Sequence, residues 1–219
     1  MKKFSKVLLF TGGLLLTLAV FPVFAQQNQP TTDVEVNQRP FQDLFEMVKQ
    51  RVDKREIDLT KSFSVEVEGT LDKSGRLGAK TAKFVKTEGD PKMAAIAKSF
   101  IEAVNDSGLF AYLKNINANK ISFKIAQDDN QFYASIVSEQ KTPEKLETAV
   151  SFLNAFLIML RYADETNVKK LTDDERALFK GVKVSSENNN VILNFTYQKS
   201  VIQEMINRKL KENSKKASE

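Results

Sequence analysis

The stretch FSVEVEGTLDKSGRLGAKTAKFVKTEGDPKMAAIAKSFIEAV, residues 63–104, holds the logic of the whole chain. Phe63, Val65 and Val67 alternate with polar residues, the pattern of a strand with one buried face. Asp72-Lys73-Ser74-Gly75 supplies turn chemistry, and residues 77–85 are expected to run back as the second strand of a hairpin. After Gly89, Asp90 is placed to cap a helix, and Pro91 takes its first position, where an N–H has no intrahelical partner anyway. Met93, Ile96, Ala97, Phe100 and Val104 then fall on one helical face, and residues 105–108 stop the helix. The stretch reads as one β-β-α unit.

The same order returns twice. Ile121, Phe123 and Ile125 alternate, residues 127–130 (QDDN) turn, Phe132, Ala134 and Ile136 alternate back, and Thr142-Pro143 opens a helix. That helix is apolar nearly all round between residues 146 and 160, which predicts a central, buried position. Thr172-x-x-Glu175 is the signature of a capping box on a short helix, with Gly181 at its end. Val182 and Val184, the turn at residues 187–190 (ENNN), and Val191, Leu193, Phe195 and Tyr197 form a third hairpin. Ser200-x-x-Gln203 is expected to cap a last helix carrying Ile202, Met205, Ile206 and Leu210 on one side. Units at 62–105, 119–163 and 181–212 share an arrangement without residue-by-residue identity. Together they predict an α+β domain over residues 41–212, an antiparallel sheet with helices packed on one face.

The flanks read differently. Lys2, Lys3 and Lys6 precede an apolar run at 7–20, and Val23 and Ala25 offer small residues just after Pro22, the pattern of a cleaved signal peptide over residues 1–25. No Cys follows, so a lipoprotein anchor is excluded; retention of residues 7–25 as a membrane anchor is the alternative. Residues 26–40 are polar and aperiodic, a flexible leader. Phe41, Leu44, Phe45, Val48 and Val52 then mark a short amphipathic helix expected to dock on the domain. Residues 213–219 are expected to be a disordered basic tail.

Residues 63–104 also resemble the C-terminal domain of TonB-like energy transducers. The shared features are the alternating strand, the Asp-x-x-Gly-x turn at Asp72–Arg76, a second strand, and Gly89-Asp90-Pro91 at the start of a helix. The Tyr-Pro that often precedes the first strand there is replaced by Lys61-Ser62, and the chain has no Trp for the aromatic element after the helix. The resemblance implies an envelope domain with a TonB-like unit.

Composition excludes more than it proposes. With no His and no Cys, Ser-His-Asp triads, Cys nucleophiles and His- or Cys-ligated zinc cannot be built from this chain. The absence of Cys also leaves stability to packing alone, which suits a bacterial envelope better than a disulfide-rich exterior. Of 33 basic and 28 acidic residues, three lysines lie in residues 1–25; the remainder is nearly neutral and gives no electrostatic case for nucleic acid.

The surviving chemistries find little footing. Ser138 and Lys141 have Ser-x-x-Lys spacing, but at a strand end rather than opening a helix. Glu66 and Glu68 belong to the outward face of a strand, Asp72 and Asp128-Asp129 to turns, and Asp173-Asp174-Glu175 to a helix first turn, so no carboxylate pair is assigned. A calcium loop starting at Asp128 would want Gly where Tyr133 stands. No catalytic residue, metal ligand or cofactor is therefore assigned. The sequence points to an exported, non-enzymatic protein, periplasmic or extracellular, that offers a sheet edge or helix face to another envelope protein. One alternative is a carrier of an apolar ligand or lipid, its sixteen Phe lining a pocket between sheet and helices. The other is a membrane-anchored TonB-like transducer, if residues 7–25 stay attached.

Overall fold

The computed structural model describes residues 36–216, apart from 167, 169 and 170. The signal peptide read at 1–25 lies outside the described residues, as does most of the leader. Six strands, β1 (Phe63–Thr70), β2 (Lys83–Gly89), β3 (Lys120–Gln127), β4 (Gln131–Glu139), β5 (Val182–Glu187) and β6 (Asn190–Gln198), form one sheet. Its order is β2-β1-β3-β4-β6-β5, with every neighbouring pair antiparallel. The three hairpins of the sequence are thus laid side by side, the second one running in the opposite order to the other two. The fold is α+β.

Register explains why one face is covered. Val65, Ile125, Ala134, Phe195 and Val182 stand opposite one another in a continuous row across five strands, and Val67, Phe123, Ile136, Leu193 and Val184 form the next row. Side chains that pair directly across strands pack against each other, so these rows make one apolar surface. The alternate positions give the opposite face: Glu66, Lys124, Ser135, Asn194 and Lys183 form a polar row there. Such a face is compatible with water.

The helices lie on the apolar face. Helix α1 (Arg39–Asp53) packs against α2 (Pro91–Ser107), with Phe41 and Phe100 ring centroids 6.2 Å apart. Asp90 caps α2 by accepting from the Lys92 and Met93 N–H groups at 3.0 and 2.9 Å, and Gly108 ends it in the left-handed region at φ 82°. α2 rests on β1 and β2, the strands that precede it. A 3-10 helix (Leu109–Ile116) follows and plugs the core with Leu109, Phe110 and Leu113; Phe110 meets Phe123 edge to face at 5.6 Å. Helix α3 (Pro143–Glu165) leaves its own hairpin and packs on β5 and β6. The short α4 (Asp173–Lys180) bears the Thr172–Glu175 capping box, and α5 (Lys199–Lys216) lies over β4 and β6.

Several expectations change. The return strand occupies 83–89 and not 77–85. Leu77 is instead tied down by an isolated bridge to Leu71, and its N–H donates to Asn105 Oδ1 at 2.6 Å, so it is a buried plug ahead of a turn at 78–82. Helix α3 is not central. The ground over the central strands is taken by the 3-10 helix, above Phe123 of β3, and by α5, over β4 and β6, so α3 buries only a stripe that includes Leu153, Leu157 and Leu160. Its outer face is left open, with Ile158 and Tyr162 each 64% exposed. Helix α5 already begins at Lys199, which puts Ser200 inside its first turn rather than ahead of it. Helix α1 starts at Arg39, two residues before the boundary read at 40/41, and α5 reaches Lys216, past residue 212.

Candidate functional site

Close-packed interiors leave few voids larger than a water molecule. Between α1, α2, α4, α5 and the sheet there is a partly open cavity of about 200 Å³. Its floor is the apolar sheet face, where Phe63 (β1), Ile125 (β3) and Phe132 (β4) project toward the helices. The sides come from helical positions that the 3.6-residue period aims inward: Leu44, Phe45 and Val48 of α1, Ile96 and Phe100 of α2, Ile202 and Met205 of α5. Two methionines, Met93 and Met205, give the wall adaptable surface.

Three polar residues join the lining, each already engaged. Gln127 is buried, and its side-chain nitrogen donates to the Leu59 and Lys61 carbonyls at 3.0 and 2.9 Å. Glu175 accepts from the Thr172 N–H and hydroxyl at 2.7 and 2.9 Å, closing the capping box. Asp174 pairs with Arg208 of α5. The chain segment beside Leu59 is held a second time, because the buried Lys199 donates to the Thr60 carbonyl at 2.5 Å and the Asp128 carbonyl at 2.9 Å. Behind the cavity, the Tyr197 hydroxyl donates to the Leu178 carbonyl at 2.5 Å, and burial raises the phenol's pKa well above its ordinary value. A ligand would therefore meet apolar contacts almost everywhere, with polar groups whose hydrogen bonds are spoken for. That surface binds by exclusion of water rather than by directed chemistry.

The residues weighed for catalysis are dispersed. Ser138 is buried in β4, where its hydroxyl accepts from Gln140 Nε2 at 3.2 Å, while Lys141 is exposed. Glu66 accepts from the Ser122 hydroxyl at 2.7 Å on the polar face of the sheet. Asp72 accepts from the Ser74 hydroxyl and the Arg76 and Ser74 N–H groups, which together hold its carboxyl below the usual range. Asp128 is lowered in the same way by the Asn130 and Gln131 N–H groups and then the Tyr133 hydroxyl. These carboxylates build turns. Among the described residues, no group of three or more Asp, Glu, His or Cys could hold a metal ion.

Sequence reasoning anticipated a pocket lined by Phe, between the sheet and helices of which the 146–160 one was expected to be central. Four Phe do line the cavity, Phe45, Phe63, Phe100 and Phe132, but α3 contributes nothing to it. The amphipathic α1, expected only to dock, supplies one whole side. Gln127 and Lys199, which fix the Leu59 segment, carried no sequence signal, since a buried Gln or Lys looks like any surface one until its partners are known. The chain matches no family model, no curated protein and no solved structure.

Proposed function

We propose that this domain is a non-enzymatic binding protein of the bacterial envelope that carries a small apolar ligand, or the apolar end of a larger one, in the cavity between α1 and the sheet. The observation that carries this reading is the cavity itself. Were it fully enclosed, about 200 Å³ of unfilled apolar space would cost on the order of 5 kcal/mol relative to a packed interior. A single larger side chain at Ala97 or Ile96 would remove much of that cost, so a void of this size and lining makes sense where something else fills it. The size is somewhat greater than the ~150 Å³ apolar cavity that takes up benzene, and so fits a group of about six to eight carbons.

Native mass spectrometry after gentle purification from the envelope tests the reading: a carrier arrives with a bound mass that organic extraction removes. Ala97→Leu, which fills the space from the α2 side, should abolish that adduct while leaving the fold as stable as before or more so. A protein that never shows an adduct and gains nothing from Ala97→Leu is not a carrier.

The outer face of α3 favours a second reading, a docking module for another envelope protein. Ile158, Met159 and Tyr162 form an exposed apolar strip on a helix whose length and hydropathy match those of a membrane span, although its other stripe is buried on β5 and β6. Crosslinking in the envelope through a photoreactive residue at position 158 would capture such a partner; labelling of bulk protein only would count against it.

A further inference from the structure

Among the described residues, the cavity's lining holds no cation: its ionisable members are Asp174 and Glu175, both in the first turn of α4. Away from Lys199, which is spent on the Thr60 and Asp128 carbonyls, the surroundings of the first turn of α4 keep the same sign among the described residues. Asp164 and Asp173 flank them, paired to Arg176 at 2.6 and 2.7 Å, and Arg208 pairs with Asp174. Among the described residues, four carboxylates thus face two guanidinium groups. The positive end of the α4 dipole lies here as well, but those carboxylates in and beside its first turn offset it, and the Thr172 side chain already occupies the Glu175 N–H. Among the described residues, an anion arriving at this side of the cavity would meet net negative charge.

Resting on the carrier reading, we infer that the site selects against anionic amphiphiles: its ligand is an apolar chain or ring whose polar end is uncharged or cationic, and not a fatty-acid carboxylate. The apolar walls treat an alkanol and the corresponding alkanoate alike, so discrimination falls to Asp174 and Glu175. Arg208, which could have received a carboxylate, is committed to Asp174.

Isothermal titration of the purified protein with 1-octanol, octylamine and octanoate at pH 7.5 and low salt separates the possibilities. Octanol and octylamine should bind one to one, with octanoate at least about tenfold weaker and the gap narrowing as salt screens the carboxylates. Asp174→Asn, which removes one carboxylate and releases Arg208, should close most of the gap between octanoate and octanol; a melting curve confirms that the variant is folded. If octanoate binds as tightly as octanol, or if Asp174→Asn leaves their ratio unchanged, the charge selection is wrong while the carrier reading stands. If none of the three binds, the carrier reading falls and this inference with it.

Discussion

The first and second β-β-α units begin from the same instructions and end in different places. β1 and both strands of the second hairpin bury alternate residues on one face while the edge strand β2 stays exposed, and both helices start from a capped turn followed by Pro: Asp90-Pro91 for α2, Thr142-Pro143 for α3. α2 settles on its own strands and forms a side of the cavity. α3 crosses to the strands of the third unit and keeps an apolar strip in solvent. The difference does not come from hydrophobicity, since α3 is the more continuously apolar of the two. It comes from competition for the sheet. The 3-10 helix that follows α2 takes the ground above Phe123 of β3, and α5 lies over β4 and β6, which leaves α3 the side of the sheet at β5 and β6. Local signals specify that a helix forms; occupancy of the sheet decides which face it hides.

The sharpest way to break this comparison is to truncate the two faces of α3. Leu153→Ala should cost ~2–5 kcal/mol through lost transfer energy and a residual cavity. Ile158→Ser, one turn along on the open face, should stay within about 0.5 kcal/mol. Urea denaturation of both variants gives the answer, and equal losses would mean that α3 is enclosed on all sides. Next comes the link between the first unit and the 3-10 helix. Gly75 has φ +77°, and a Cβ there would stand 2.3 Å from Ala111 Cα. Gly75→Ala and Gly75→Asn should therefore both destabilise by roughly 2–4 kcal/mol, because overpacking adds to the left-handed strain that Asn alone could tolerate. Near-wild-type melting of the Asn variant would show that the hairpin turn can move away from the 3-10 helix.

A smaller effect is expected from the α2 cap. Asp90→Ala should lose ~0.5–2 kcal/mol, read as a shift of the denaturation midpoint. Thr142→Ala should be comparable, since Thr142 accepts the Lys145 N–H; a cap that mattered only in the first unit would put the asymmetry in the helix starts and not in the sheet. The mildest test is acid. Asp58, Asp72 and Asp128 all have lowered pKa values from turn hydrogen bonds. Stability linked to them is fully present above the unfolded carboxyl pKa of ~3.9 and is lost as pH falls through the lower folded values. Melting temperature should thus hold level from pH 7 to 5 and drop below about pH 4, with a shallower drop in Asp128→Asn.

What the sequence disclosed follows the same division. The strand alternation, the caps at Asp90 and Thr142, the Thr172–Glu175 box and the turn at 187–190 were all readable, because each is settled within a few residues; Asn188 and Asn189 take the positive φ values that such a tight hairpin needs. The slip of β2 was not readable. Leu77 continues the alternation by type, but Asn105, 28 positions on, claims its N–H and removes it from the ladder. The 3-10 helix escaped notice because LFAYLKNI is too short to show a period, though Leu109, Phe110 and Leu113 are among the most buried side chains. The cavity was only half visible. Its Phe residues announced apolar lining, but an empty space is defined by what five parts of the chain fail to fill.

The position of β6 has a consequence for how the chain reaches this state. Because β6 lies between β4 and β5, strand β4 has only β3 for a neighbour until nearly the last residues of the domain are available. Lys199, immediately after β6, then fastens to the Thr60 carbonyl across 139 positions. Closing a loop of that length forfeits about 4 kcal/mol of chain entropy before any contact repays it. A nascent or truncated chain ending before residue 190 would carry a complete first unit beside a raw, apolar β4 edge, ready to pair with any extended strand it meets. Such a chain should aggregate until its C-terminal hairpin arrives, and nicking within β6 should turn an intact domain into an aggregating one.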